Sequence, residues 1–228
     1  MLSEIFDVIY IIRNGIVDTS ELRYSLRSLD NLQHGDVWIA GGDPQDVKPD
    51  RYLDIKQEGA SKWERTTYTL RKICEAKETP DMFYLFNDDF FIMQPTENIP
   101  PIYNGTLYDR IKSIGASRYA KQLKSTADEL TRRGLGANNY AVHIPLLIEK
   151  DKALEVLKEF DGWPMFRSLY GNYWNIGGEN RPDVKIAQTS IMPAEDKPYL
   201  STSNISFKYG LVGEHIRRTF KEKCKYEV

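Results

Sequence analysis

The chain has 228 residues, of which 41% are hydrophobic and 28% charged, and its formal net charge is −2. One α/β domain with a sizeable core fits that length, and so balanced a charge supplies no global attraction to nucleic acid or to an anionic membrane. The two cysteines, Cys74 and Cys224, form no CxxC or zinc-type spacing, and no run approaches the roughly 20 apolar residues that cross a bilayer.

Residues 6–12 (FDVIYII) form a continuous β-branched and aromatic run, as a strand buried on both faces requires. Asn14-Gly15 ends it with a turn signal. A helix is predicted over 20–29, capped by Thr19 or Ser20, with Leu22, Leu26 and Leu29 on one face. Strands follow at 36–40, closed by Gly41-Gly42, and at 52–55. A second helix is predicted over 62–76. Residues 82–93 (MFYLFNDDFFIM) then read as one apolar strand with three polar residues in its middle. This alternation predicts a doubly wound, mostly parallel sheet flanked by helices.

The stretch 105–135 carries seven basic residues, Arg110, Lys112, Arg118, Lys121, Lys124, Arg132 and Arg133, against three acids. It reads as a basic, partly helical, mobile insertion or lid over the site, with a solvated surface helix as the alternative. A strand is expected over 141–148, a helix over 150–160, a Gly- and Asn-rich loop over 171–182, and a closing helix over 213–220. No repeat or linker divides the chain, so residues 1–228 are taken as one domain. The short apolar run at 8–12, bounded by Asp7 and Arg13, is no signal peptide, and the expected location is cytoplasmic.

Chemistry concentrates at Asn87-Asp88-Asp89. Two adjacent carboxylates inside an apolar strand cost several kcal/mol unless something offsets their charge. The carboxyl end of a central strand, where open α/β sheets bind ligands, is the expected place for them. There they suit Mg²⁺ or Mn²⁺ shared with a diphosphate. A turn cap or a salt bridge to Arg71 or Lys72 is the structural alternative. His143 can act as a general base, a metal ligand or a donor to phosphate. In the loop 172–180, Tyr173 and Trp174 are candidates for packing on a sugar face. Glu179 is a candidate acceptor-side base and His215 a candidate third metal ligand. The P-loop, GxGxxG, GxSxG and HExxH motifs are absent, which argues against a P-loop kinase, a dinucleotide oxidoreductase, an α/β-hydrolase and a zincin.

The pieces ELRYSLRS (21–28), FYLFNDDFFI (83–92), HIP (143–145) and FRSLYGN (166–172) resemble the ordered blocks of the Stealth family of sugar-phosphate transferases. More broadly, the order of elements is similar to the GT-A glycosyltransferase fold. The resemblance implies a nucleotide-sugar donor, expected to be UDP-linked, and metal held by Asp88 and Asp89, with Asp89 counted as catalytic. It brings the loop carrying Ile12 and Arg13 to the nucleoside. Arg23, Arg27, Lys62, Arg65 and Arg167 become candidate contacts for the diphosphate. The chain departs from the family in lacking the acidic residue of the opening block and the final Cys-containing block. Glycosyl transfer to a glycan or glycopolymer is therefore expected at least as much as phosphoglycosyl transfer. Two alternatives stay open. One is a DNA acceptor bearing a modified base, tracked by the basic stretch 110–133. The other is a non-catalytic sugar-binding module.

Overall fold

The computed structural model describes residues 4–228. Its first half runs β1 (Asp7–Ile12), α1 (Ser20–Ser28), β2 (Val37–Gly41), β3 (Arg51–Asp54), α2 (Lys62–Glu75), β4 (Met82–Phe86) and β5 (Phe90–Ile92). Then follow β6 (Ile102–Tyr103), α3 (Leu107–Ile114), α4 (Arg118–Arg132), β7 (Leu146–Glu149), α5 (Lys150–Glu159) and α6 (Phe166–Tyr173). The chain ends with β8 (Glu179–Asn180), β9 (Lys185–Ile186), β10 (Tyr199–Thr202), α7 (Asn204–Tyr209) and α8 (Leu211–Thr219).

The apolar run of β1 becomes the middle of a five-stranded sheet ordered β3-β2-β1-β4-β7. β1 pairs in parallel with β2 and with β4, and β7 closes the far edge antiparallel to β4. Side chains alternate across the sheet, as the two-residue strand period demands. Ile9, Phe83 and Leu85 pack on one face against α2, α4, α5 and α6. Val8, Tyr10, Ile12, Tyr84 and Phe86 pack on the other against Leu22, Leu26 and Leu29. The result is an α/β architecture, a mostly parallel sheet flanked by helices, and among the described residues no helix is long and apolar enough to cross a membrane.

Three expectations need correction. Residues 82–93 are two strands, because the chain turns at Asn87-Asp88-Asp89, where the Phe90 amide bonds back to the Asn87 carbonyl (3.3 Å). β5 leaves the main sheet and pairs antiparallel with β10 in a small sheet ordered β5-β10-β9. Second, the basic stretch is helical as expected, but α4 places Leu123, Ala127 and Leu130 fully in the core beside α6. Third, the supposed loop from Gly171 begins inside α6. Gly171 is there for close packing, since a Cβ would stand 2.4 Å from the Tyr140 ring.

Candidate functional site

β1 and β4 are neighbours and parallel, so their carboxyl ends open at the same edge of the sheet. The Asn87–Asp89 turn stands there. Serines dock α1 beneath it: the Ser25 hydroxyl bonds the Phe90 carbonyl, and the Ile92 amide donates to Ser28 Oγ (3.0 Å). The register of the small sheet sets Ser201 opposite both Phe90 and Lys185.

The two aspartates are consequently held differently. Asp89 Oδ2 accepts from Lys185 Nζ at 2.9 Å and from Ser201 Oγ at 3.2 Å. Burial pushes the Asp88 carboxyl above the usual carboxylate range, and the charge of Asp89 adds to this. Lys62 and Arg13 are the positive charges that oppose the effect. A third carboxyl, Glu21 in the first turn of α1, is buried and accepts from Thr202 Oγ1 at 2.6 Å. Burial, with Asp88 and Asp89, pushes Glu21 up to about 7, against the lowering effects of Thr202 and Lys185. Among the described residues no three His, Cys, Asp or Glu side chains are gathered as a metal-ligand set.

On the far side of Phe90 lies a histidine–aspartate pair. His143 Nδ1 meets Asp183 Oδ2 at 2.8 Å, and the His143 amide donates to Asp183 Oδ1 at 3.0 Å. Burial alone would raise the Asp183 carboxyl. The hydrogen bonds and charge of His143 outweigh it and hold the group below its ordinary value. The imidazole stands edge-on to Phe90, with ring centres 6.4 Å apart. Arg167 reaches the same place from α6. Its Nη1 donates to the Val142 carbonyl (2.6 Å) and its Nη2 to the Ile144 carbonyl, which brackets His143. Burial lowers this guanidinium to about 10, with Asp183 and Asp89 supporting its charge. Its Nε is buried with no hydrogen-bond partner.

The structure thus brings His143 and Arg167 against Phe90, beside Asp88 and Asp89, with the charges of Arg13 and Lys62 reaching Asp88. Ile12 ends β1, and its carbonyl takes the Gly42 amide (2.8 Å) and Gln57 Nε2 (3.0 Å). Arg65 is exposed on the first turns of α2 and bonds the Gly59 carbonyl (3.0 Å). Arg23 is half-buried, 3.5 Å from Asp46.

Other candidates stand elsewhere. Arg27 is not available to a diphosphate. It makes a two-pronged bond to Glu227 (2.6 and 2.7 Å) and donates to the Phe220 and Lys221 carbonyls. Glu179 is exposed on β8 and paired with Arg181. His215 lies on α8, where its carbonyl accepts from Thr219, and it is part of no metal set among the described residues. Tyr173 and Trp174 turn toward α5, bonding Glu155 and the Lys152 carbonyl.

Glu21, Asp183, Lys185 and Ser201 are the residues that sequence reasoning misses. An acid in a helix's first turn reads as ordinary dipole complement. Only the alternation Asp183-Val184-Lys185-Ile186 hints that one short strand sends two charged side chains to one face. No protein-family model matches the sequence, and no curated protein matches it.

Proposed function

We propose that the protein is a metal-dependent transferase of GT-A type, moving a sugar or a sugar phosphate from a nucleoside diphosphate sugar, UDP-linked, to a glycan or glycopolymer. The observation that carries this reading is the Asp88-Asp89 turn at the carboxyl edge of two central parallel strands. There Asp89 is fixed by Lys185 and Ser201, while burial and the charge of Asp89 hold the Asp88 carboxyl above its ordinary range. The donor set fits Mg²⁺ or Mn²⁺: hard carboxylate oxygens, few in number, with the remaining positions left to phosphate and water. Asp88 and Asp89 would hold the ion, which when bound supplies Lewis-acid stabilisation to the departing diphosphate.

The chain's own groups do the rest. Arg13 and Lys62, whose charges reach Asp88, are the cations assigned to the diphosphate in this reading. Asp183 fixes one nitrogen of His143, leaving the imidazole oriented to accept a proton from an acceptor hydroxyl. Arg167 keeps His143 in place through the flanking carbonyls and holds a positive charge near Asp183 and Asp89. Free thiols at Cys74 and Cys224 agree with a cytoplasmic enzyme. A DNA acceptor is less favoured, because acids occupy part of the basic stretch. Lys124 pairs with Asp128, and Arg132 and Arg133 pair with Glu129.

The test is a thermal-shift screen of nucleoside diphosphates and their sugars, with and without Mn²⁺. A metal-dependent rise in melting temperature with one nucleotide family, lost in Asp88→Asn, supports the reading through mass action. Absence of any nucleotide-dependent shift removes it.

A further inference from the structure

A second concave surface begins where the site ends. Lys62, whose charge reaches Asp88, opens α2, and its neighbours Ser61 and Trp63 line a groove of about 430 Å³. The groove lies between the start of α2, the middle of α4 at Gln122, and the Asp161–Pro164 turn after α5. Its near wall is tied to the sheet edge. Asn14, just past β1, exchanges hydrogen bonds with Gln57 (2.8 and 3.1 Å), and Asn14 Nδ2 donates to the Ile55 carbonyl (3.2 Å). Gly59 then lies so close to α2 that a Cβ would come within 2.5 Å of Glu64 Cβ. The wall is therefore pinned at both ends.

The lining has a definite chemistry. Trp63, Tyr68 and Trp163 present three aromatic rings. Trp63 stays 39% exposed although an indole in water is costly, and Tyr119 braces it in a near-parallel stack (6.0 Å, 13°). The same lining carries hydrogen-bonding groups on Thr67, Gln122, Glu58 and Asp161. Aromatic faces beside carboxylate and amide oxygens suit a pyranose, whose C–H face packs on a ring while its hydroxyls donate at the edge. The charge argues the same way. Arg71 is neutralised by Asp161 (2.9 Å), which leaves Glu58 and Glu64 as the surplus charge of the lining, so a polyphosphate strand would be repelled.

We propose that this groove binds a run of neutral sugar units of the acceptor, holding its growing end toward the Asp88 edge. The inference rests on the transferase reading for its purpose, but the groove can be tested without a donor. The full chain would be titrated with neutral linear trisaccharides built from glucose, mannose, galactose or N-acetylglucosamine, reading tryptophan fluorescence. At least one is expected to give a saturable change, weakened tenfold or more in Trp63→Ala and largely retained in Trp63→Phe. Melting curves of both variants would establish that they fold. The inference is overturned if no trisaccharide gives a saturable change, or if Trp63→Ala binds as wild type does. Preferential binding of a DNA oligonucleotide overturns it too. If trisaccharides fail while the Mn²⁺-dependent nucleotide shift persists, the groove assignment falls alone. If they bind and the nucleotide shift is absent, the donor reading falls and the groove stands.

Discussion

Thr202 Oγ1 donates a 2.6 Å hydrogen bond to Glu21 Oε1, joining the end of β10 to the first turn of α1 across 181 residues of chain. The carboxyl it holds is pushed up to about 7 by burial, with Asp88 and Asp89 adding their charge, against an ordinary value of 4.5. Folded chains therefore retain a proton that unfolded chains have released between those two values. Stability falls as pH rises through that window and stays lowered above it. Glu21→Gln keeps an acceptor for Thr202 and removes the titration. At pH 8 it is expected to be more stable than wild type by on the order of 1–2 kcal/mol, with the gap closing at pH 5. Thermal melts at both pH values check this, and parallel profiles for the two proteins would refute it.

Asp88 and Asp89 should part company when each is changed to asparagine. Asp88→Asn removes a charge that burial disfavours, so the ligand-free protein should melt higher while Mn²⁺-dependent stabilisation by nucleotide disappears. Asp89→Asn leaves Lys185 without its carboxylate and should cost about 1–3 kcal/mol before any ligand is added. Melting curves of the two variants, with and without Mn²⁺ and nucleotide, distinguish the roles. Identical behaviour would mean the turn does not divide them.

Asp183→Asn retains a side chain able to bond His143 but not one that fixes the imidazole in its present role. Turnover at saturating donor is expected to fall about 10²–10⁴-fold, with little change in donor affinity. Steady-state kinetics give the answer directly. A loss confined to KM for the donor would remove His143 from proton transfer.

Arg27→Ala is expected to destabilise the fold by about 3 kcal/mol, because it strands Glu227, whose side chain is 1% exposed. Urea denaturation measures the cost. Under conditions where the variant stays folded, donor affinity should match wild type, and a specific loss of donor binding would restore Arg27 to the site.

Much of the main sheet is legible in the sequence because its signals are local. The unbroken apolar run of β1 and the leucine face of α1 each announce their own burial. Asn87-Asp88-Asp89 is legible as chemistry for the same reason, since three polar residues interrupt an apolar run. A bend after Phe86 is legible as an option, but that the residues beyond it leave the main sheet is not. Phe90–Ile92 are as apolar as Met82–Phe86, and only pairing with the distant β10 assigns them to another sheet. Arg27 misleads similarly. An arginine four residues after Arg23 reads as a surface charge or a phosphate ligand, until a partner 200 residues away proves to bury it. His143 stands out by its type, whereas Asp183 acquires meaning only when the fold sets it against that ring.

The ion pair between Arg27 and Glu227 also orders events in time. A ribosome adding about 5–20 residues per second needs roughly ten seconds or more to deliver the glutamate after the arginine. Throughout that interval α1 lacks the partner that neutralises its buried guanidinium, and for most of it Glu21 lacks Thr202. The nascent helix therefore has its leucine face, and not that ion pair, to hold it on the sheet during that time.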